Sequence, residues 1–391
     1  MPKVTNGRRD VRKTLLAARA LSRRSLLARA SAAMPALALA PYVLIGGCGR
    51  SSGELNILAW SDELPDPVLP DFTKETGIAV KMTAFSQNEQ QINELQTTAG
   101  AGYDLCMPTR DRAPQFKDLG LLRAFDTSKV PTDSLLASML SGSTSVWTWD
   151  AGLFHLPHVW GTEAMAWRTD RWQRDYQDLS FGDLWADDLK GKIQGRPHSL
   201  ITSIGLWFDR TGRLPSSRML DAFKDEDTMK RIWTELTQFA VDHKPWIKQF
   251  WDSADTIKSG FIDNDVWVGQ TWDGPVLSLK KDGKPVTYMA PQEGAIAWLD
   301  GWGMLSAVKN VDQVYAFLTY LYRPEVAAKV ADGSGYNPVV KGADALLSAA
   351  AKKNFTEAYP GNAVDNLWWR PPEPSWYAAL RGEFADKFKA A

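Results

Sequence analysis

Two cysteines and four histidines in 391 residues leave little room for several kinds of chemistry. Cys48 follows a long apolar run, and Cys106 lies inside Tyr103-Asp104-Leu105-Cys106-Met107, where it reads as a small buried hydrophobe. A disulfide framework and a cysteine-rich metal site are both excluded. The histidines stand at 155, 158, 198 and 243. None has the His-x-x-x-His spacing of a helical zinc site, and His155 and His158 straddle Pro157 in a loop-like stretch. Glycine-rich phosphate loops, a serine nucleophile elbow, a Cys–His pairing and the paired tyrosines of a ferric site are also missing. No cofactor, metal or catalytic residue is expected, and an enzyme is the least supported class. Repeats and coiled-coil heptads are absent too, and a 44% hydrophobic composition excludes a disordered chain.

Excess charge is missing only on average. The formal net charge is −1, yet residues 1–47 hold nine Lys or Arg against Asp10 alone, leaving 36 basic and 45 acidic residues in the rest. A body with a net charge of −9 disfavours nucleic acid and anionic membrane surfaces and favours cationic ligands. The basic leader ends in Ser22-Arg23-Arg24-Ser25-Leu26-Leu27, which resembles a twin-arginine export signal. An apolar run from Ala30 to Gly47 follows, and Ile45-Gly46-Gly47-Cys48 resembles a lipobox, with Cys48 as the lipidated residue. The alternative is an uncleaved signal anchor, because about 18 largely apolar residues sit at the lower limit for spanning a bilayer. Pro35, Pro41 and the glycines before Cys48 favour cleavage. Either way the body is expected in the periplasm, tethered to a membrane, with 48–53 as a short tether.

The length predicts two domains. Strand-like runs at Leu55–Trp60 and Ile78–Phe85 flank a helical pattern at Val68–Thr76 closed by Gly77, a β-α-β unit. A helix around Glu89–Thr98 and a strand at Tyr103–Pro108 continue it, predicting a parallel sheet covered by helices. Periodicity breaks at His158–Gly161 and a strand-like run restarts at Glu163–Arg168, taken as the first crossing between lobes. Further helices are predicted at Ser217–Phe223, Thr228–Asp242, Val311–Tyr322 and Glu325–Ala331, the last ending near Gly333, with strands at Val266–Thr271 and Ala295–Leu299.

In an open α/β sheet, ligands bind beyond the carboxyl ends of strands, which places Trp60-Ser61-Asp62-Glu63 at the mouth of a cleft. Ser61 or Asp62 also reads as the N-cap of the helix that follows. In Ala297-Trp298-Leu299-Asp300, alternation puts Trp298 and Asp300 on one face, so that an aromatic stacks on an alkyl chain while the carboxylate takes an ammonium.

These segments, with "YDLCMPT", "LPHVWGTEAMAWR", "EGAIAWLDGWGMLSAVKN" and "AFLTYLYRPEVAAKVADGSGYNPV", resemble the periplasmic solute-binding proteins of ABC importers, particularly the spermidine/putrescine-binding group. The resemblance covers most of 54–340. It implies an α/β periplasmic-binding-protein fold of type II, with two α/β lobes joined by crossing hinge strands and a ligand cleft between them. Lobe 1 is expected as 54–157 plus about 275–322, and lobe 2 as 158–274 plus about 323–391. It further implies that Trp60 packs on ligand methylenes, that Ser61 and Asp62 give polar contacts, and that Trp298 and Asp300 hold the amine. Thr109 matches a small hydroxyl, Trp272 a cleft-lining Trp and Tyr336 a Tyr that closes the pocket.

Four departures bear on the ligand. Glu63 stands where the group has an aromatic, and Asp111 where it has another. Pro275 replaces an Asp three residues beyond the cleft Trp, leaving Asp273 as a substitute or not; Trp251 is a weaker candidate that reads equally as core. In Gly191–Ile201, where polyamine binders carry acids, Arg196 and His198 stand instead. One cation at Asp300 with a polar or anionic group facing Arg196 or His198 fits these residues. The expected function is capture of a small cationic or amino-containing, polyamine-like solute by a monomer that delivers it to the permease subunits of an ABC transporter. Alternatives are a ligand-binding sensor that docks on a membrane receptor, or the same transport role for a mixed-charge ligand such as an opine, an amino acid derivative or an aminophosphonate.

Overall fold

The computed structural model describes residues 53–391. The basic leader, the Cys48 expected to be lipidated and most of the expected tether lie outside the described residues.

Strand β1 (Glu54–Trp60), helix α1 (Val68–Thr76) and strand β2 (Ala79–Phe85) form the expected β-α-β unit, β1 and β2 pairing in parallel from Glu54↔Ala79 to Trp60↔Phe85. Helix α1 closes at Gly77 as read, but its N-cap is Pro67, with no side-chain cap. Ser61 and Asp62 therefore cap nothing: the Ser61 N–H extends the β1–β2 ladder by donating to the Phe85 carbonyl at 3.1 Å. Helix α2 (Asn88–Thr98) and the short strand β3 (Leu105–Cys106) follow, β3 pairing in parallel with β1. Cys106 is a free thiol with no exposure, and burial pushes its pKa up.

The break read at His158–Gly161 does not exist. One strand, β4, runs from Leu156 to Arg168, and every residue but the last is buried. A strand covered on both faces loses its alternation, which is why periodicity missed it. Beyond it come β5 (Ile193–Gly195), helix α3 (Pro197–Arg210), helix α4 (Glu226–Asp242), β6 (Ile247–Phe250) and β7 (Val268–Trp272). Helix α4 starts on Asp225, whose carboxylate accepts from the Thr228 N–H at 2.8 Å. Helix α5 (Asp273–Lys281) leads to β8 (Val286–Met289) and β9 (Ile296–Leu305). The stretch read as helix around 217–223 is a short 3-10 turn at Leu220–Phe223.

The strand order β2-β1-β3-β9-β4-β7-β5-β6, with β8 also on β4, shows how two lobes form one body. The end of β9 pairs with β3 of the first lobe (Gly303↔Cys106, Met304↔Leu105), while its start pairs antiparallel with β4 (Ile296↔Glu163 to Trp302↔Leu156). These two long strands cross between lobes. Separate cores sit on either side, one around Ile57, Phe72 and Phe317, the other around Trp167, Phe208 and Trp233. Helix α6 (Val311–Leu321) packs on β1, α7 (Pro324–Ser334) packs on α1 and α6, and α5 packs on β8 and β4. The C-terminal helix α8 (Ser375–Ala390) packs on α3 and α4, after Trp368 and Trp369 pair with Ile296 and Ala297. Helix α7 ends at Ser334, near Gly333 as read, with Gly335 as its C-cap in the left-handed region at φ 84°. A Cβ on Gly333 would lie 2.5 Å from Pro65, so its missing side chain serves a close approach between helix and loop.

Candidate functional site

Between the lobes lies a cleft lined by aromatic, acidic and basic side chains. Its aromatic wall comes from strand ends. Trp60 closes β1, Trp272 closes β7, and their rings meet edge-on at 6.1 Å; Trp298 on β9 meets Tyr336 edge-on at 5.0 Å. The indole N–H groups of Trp60 and Trp298 are buried with no partner.

The second component is acidic. Asp62 and Glu63 follow β1, and Asp300 is placed by a bulge: the β9–β4 register shifts between Asp300 and Gly301. The bulge requires glycine, because a Cβ on Gly301 would stand 2.4 Å from both the His155 ring and the Leu156 carbonyl oxygen. Glu63 and Asp300 lie within hydrogen-bond reach of each other, and both are almost fully buried. Burial first, then the neighbouring Asp300 carboxyl, pushes Glu63 well above the ordinary carboxylate range, and burial pushes Asp300 up to about 7. Both shifts favour protonation of the pair below neutrality. Asp62 accepts from the Tyr336 hydroxyl at 2.7 Å, and burial raises its pKa as well. Among the described residues, no Lys or Arg lies within ion-pair distance of Asp62, Glu63 or Asp300. The Glu63 Oε2 and Asp300 Oδ1 atoms are buried without partners. No cluster of three His, Cys, Asp or Glu side chains among the described residues is arranged to hold a metal. Thr109 bridges Asp300 in the sheet and receives the Asn88 amide on its hydroxyl at 2.9 Å.

The opposite wall is basic. Arg196 is the N-cap of α3 and His198 lies in its first turn. The Arg196 guanidinium sits 5.3 Å from the Trp272 ring centre and 5.5 Å from that of Trp251. Glu163, on β4, stands 3.9 Å from Arg196 and 3.9 Å from Arg370. Behind them the fully buried Glu373 carboxylate is approached by Arg112 at 2.9 Å and Arg381 at 3.2 Å, and Arg381 also holds Glu89 at 2.7 Å. Asp111 pairs with the Arg112 Nε at 3.2 Å. Burial and then the charges of Arg381, Arg196, Arg370 and Arg112 push His198 well below its ordinary value, so it is neutral.

Of the residues expected at the site, Trp60, Asp62, Glu63, Thr109, Asp111, Trp272, Trp298, Asp300, Tyr336, Arg196 and His198 line this one cavity. Three do not. The Ser61 side chain points to solvent. Trp251 is buried behind Trp272, its indole donates to the Gln270 carbonyl at 2.7 Å, and it lies beside a neighbouring outer pocket. Asp273 opens α5 and turns away, taking the Tyr359 hydroxyl at 2.8 Å and the Asn337 amide at 3.3 Å; burial lifts its pKa to about 7. Four lining residues were missed: Asn88, Arg112, Glu163 and Arg370. No motif in the sequence marked Arg370, which follows Trp368-Trp369.

The crossing strands and enclosed, charged cleft define a two-lobed binding protein of the type II periplasmic class. Residues 68–360 match the family described as bacterial extracellular solute-binding protein, and the chain belongs to that family. It is 27% identical over 286 residues to spermidine/putrescine-binding periplasmic protein 1 of Haemophilus influenzae, covering 72% of this chain and 73% of that one. It is 28% identical over 322 residues to the putrescine-binding periplasmic protein PotF of Escherichia coli, covering 80% and 85%. Among solved structures it is similar to the spermidine/putrescine ABC transporter substrate-binding protein PotD of Streptococcus pneumoniae, with a TM-score of 0.68, 25% identity and coverage of 87% and 99%. The expected family and fold are thus borne out.

Proposed function

We propose that the chain captures a small solute bearing at least one ammonium group, polyamine-like in its alkyl amine part, outside the cytoplasm and presents it to an ABC permease. The supporting observation is the Asp62–Glu63–Asp300 cluster, three carboxyls with no cationic partner beside the Trp60, Trp272, Trp298 and Tyr336 rings. An ammonium there replaces a proton on the Glu63–Asp300 pair, donates several charge-assisted hydrogen bonds and lies against aromatic faces that accept its methylenes. Closure follows from the two-lobe arrangement: Glu63 and Asp62 belong to one side of the cleft and Trp272 and Arg196 to the other, so a ligand touching both stabilises the closed state. The same reading makes the protein a monomeric binding protein without catalytic activity, cofactor or nucleic-acid partner. It is exported by a twin-arginine signal and tethered in the periplasm through Cys48. The reading also keeps lobe 1 as 54–157 with about 275–322 and lobe 2 as 158–274 with about 323–391, helix α5 spanning the bound near 275.

A thermal-shift panel of putrescine, spermidine, agmatine and neutral amino acids tests the ligand class. A rise in Tm with at least one amine, scaling with its concentration, is expected. No response to any amine rejects it.

A further inference from the structure

The cavity has two poles of opposite sign, and only one of them is explained by an amine. At the acidic pole Asp62, Glu63 and Asp300 lack cationic partners, as described above. At the other pole the four arginines are not equally engaged. Arg112 and Arg381 are bound closely by Glu373, Glu89 and Asp111, at 2.7–3.5 Å. Arg196 and Arg370 have no such partner. Their nearest carboxylate oxygens are Glu163 at 3.9 Å from each and Glu373 at 3.6 Å from Arg370, beyond ordinary hydrogen-bond length. Among the described residues, neither guanidinium donates a hydrogen bond. Both line the cavity, and each carries five N–H donors in a planar fork suited to an oxyanion. The cluster as a whole is balanced, four arginines against Glu89, Asp111, Glu163 and Glu373, but Arg196 and Arg370 face the cavity with no hydrogen-bonded carboxylate. His198 beside them is neutral and has a ring nitrogen free to donate to an oxygen. A diamine would bring a second cation against these two guanidiniums and leave their donors unfilled.

We infer, building on the amine reading above, that the solute is a zwitterion: its ammonium is held by Glu63 and Asp300, and its carboxylate or phosphonate by Arg196 and Arg370. The alkyl spacer between the two charges lies along Trp60, Trp272 and Trp298. Glu163 stands 3.9 Å from each of the two arginines and accepts the Trp272 indole N–H at 3.2 Å, which fixes that ring as the floor of the spacer. The ligand satisfies both poles in one step, whereas a diamine satisfies one and sets a cation against the guanidiniums of the other.

The test is calorimetric titration of the purified protein with four probes of similar length: butylamine, putrescine, 4-aminobutyrate and 3-aminopropylphosphonate, with a longer homologue of each. The expected ranking puts at least one zwitterion roughly tenfold or more below butylamine and putrescine in Kd, the scale of one charge-assisted contact. The carboxylate and phosphonate arms identify the anionic group. Arg370→Gln and Arg196→Gln each reduce the ratio of zwitterion to butylamine affinity towards one. The wild-type ranking decides the matter even if those variants fold poorly. Putrescine binding as tightly as or more tightly than the zwitterions, at matched length, overturns the inference and leaves the amine reading standing. No binding of any probe overturns both.

Discussion

The Tyr336 hydroxyl donates to the Asp62 carboxylate at 2.7 Å, tying the turn after the first strand to the segment that follows helix α7. The same ring packs edge-on to Trp298 and fills the space a side chain on Gly274 would need, its Cε1 lying 2.5 Å from that would-be Cβ. Tyr336 thus fixes an acid, an aromatic wall and the start of α5 together. Tyr336→Phe keeps the packing and removes one hydrogen bond to a carboxylate. It is expected to cost about 1–2 kcal/mol in urea unfolding, with a weaker amine affinity. An unchanged midpoint and affinity would show that the contact holds nothing.

Glu63 and Asp300 predict opposite effects on stability and binding. Two buried carboxyls within hydrogen-bond reach are a liability in the empty protein, so Glu63→Gln is expected to raise unliganded stability by about 1 kcal/mol at neutral pH. The same change removes charge from the ammonium site and weakens amine binding by about tenfold or more. A variant that loses stability and keeps affinity contradicts the pairing.

The protonated pair makes binding pH-dependent. Asp300 is pushed up to about 7 and Glu63 also upward, so the free pair is protonated below neutrality and must lose that proton to receive an ammonium. Amine Kd is expected to fall as pH rises through about 7, where Asp300 ionises. Titrations in buffers of different ionisation enthalpy then report proton release on binding below neutrality. Asp62 and Asp111, both raised by burial, shift the curve in the same direction. A flat profile between about pH 5.5 and 8 would remove the protonated pair from the account.

Gly301 sets where Asp300 points. Gly301→Ala drives a Cβ to 2.4 Å from a backbone oxygen that has no room to move, and the expected cost is about 2–4 kcal/mol, with amine binding lost alongside. Circular dichroism melting compared with the wild type checks it.

Asp273 belongs to the framework. Asp273→Ala removes the carboxylate shared by the Tyr359 hydroxyl and the Asn337 amide, which keep Thr162 and the Trp160 carbonyl respectively, at an expected cost of about 1–2 kcal/mol, while amine affinity in the folded fraction changes little. Denaturant unfolding paired with calorimetry separates the two effects.

What was legible in the sequence follows from range. Val68–Thr76 with its Gly77 stop, and Val311–Leu321, carry local periodicity and caps, and their boundaries came out within a residue. The acidic half of the cavity is written in two short words, Trp60 to Glu63 and Trp298 to Asp300, so spacing alone brought it into view. Even there, strand alternation already implied that Ser61 faces away if Trp60 and Asp62 face in. The basic half is assembled from Arg112, Glu163, Arg196 and Arg370 on separate elements, and no local pattern predicts a meeting decided by the chain crossing between lobes. Strand Leu156–Arg168 was half hidden for a related reason: a strand buried on both faces lacks the alternation by which strands are recognised.

The central claim is that Asp300 and its partners hold an ammonium. The most direct measurement is the affinity of the purified protein for its tightest-binding amine at about pH 7.5, wild type against Asp300→Asn, with melting curves confirming that both are folded. The account predicts a loss of roughly a hundredfold in the variant, the scale of removing one buried charged partner. An Asp300→Asn protein that is folded and binds the amine as tightly as the wild type would contradict it.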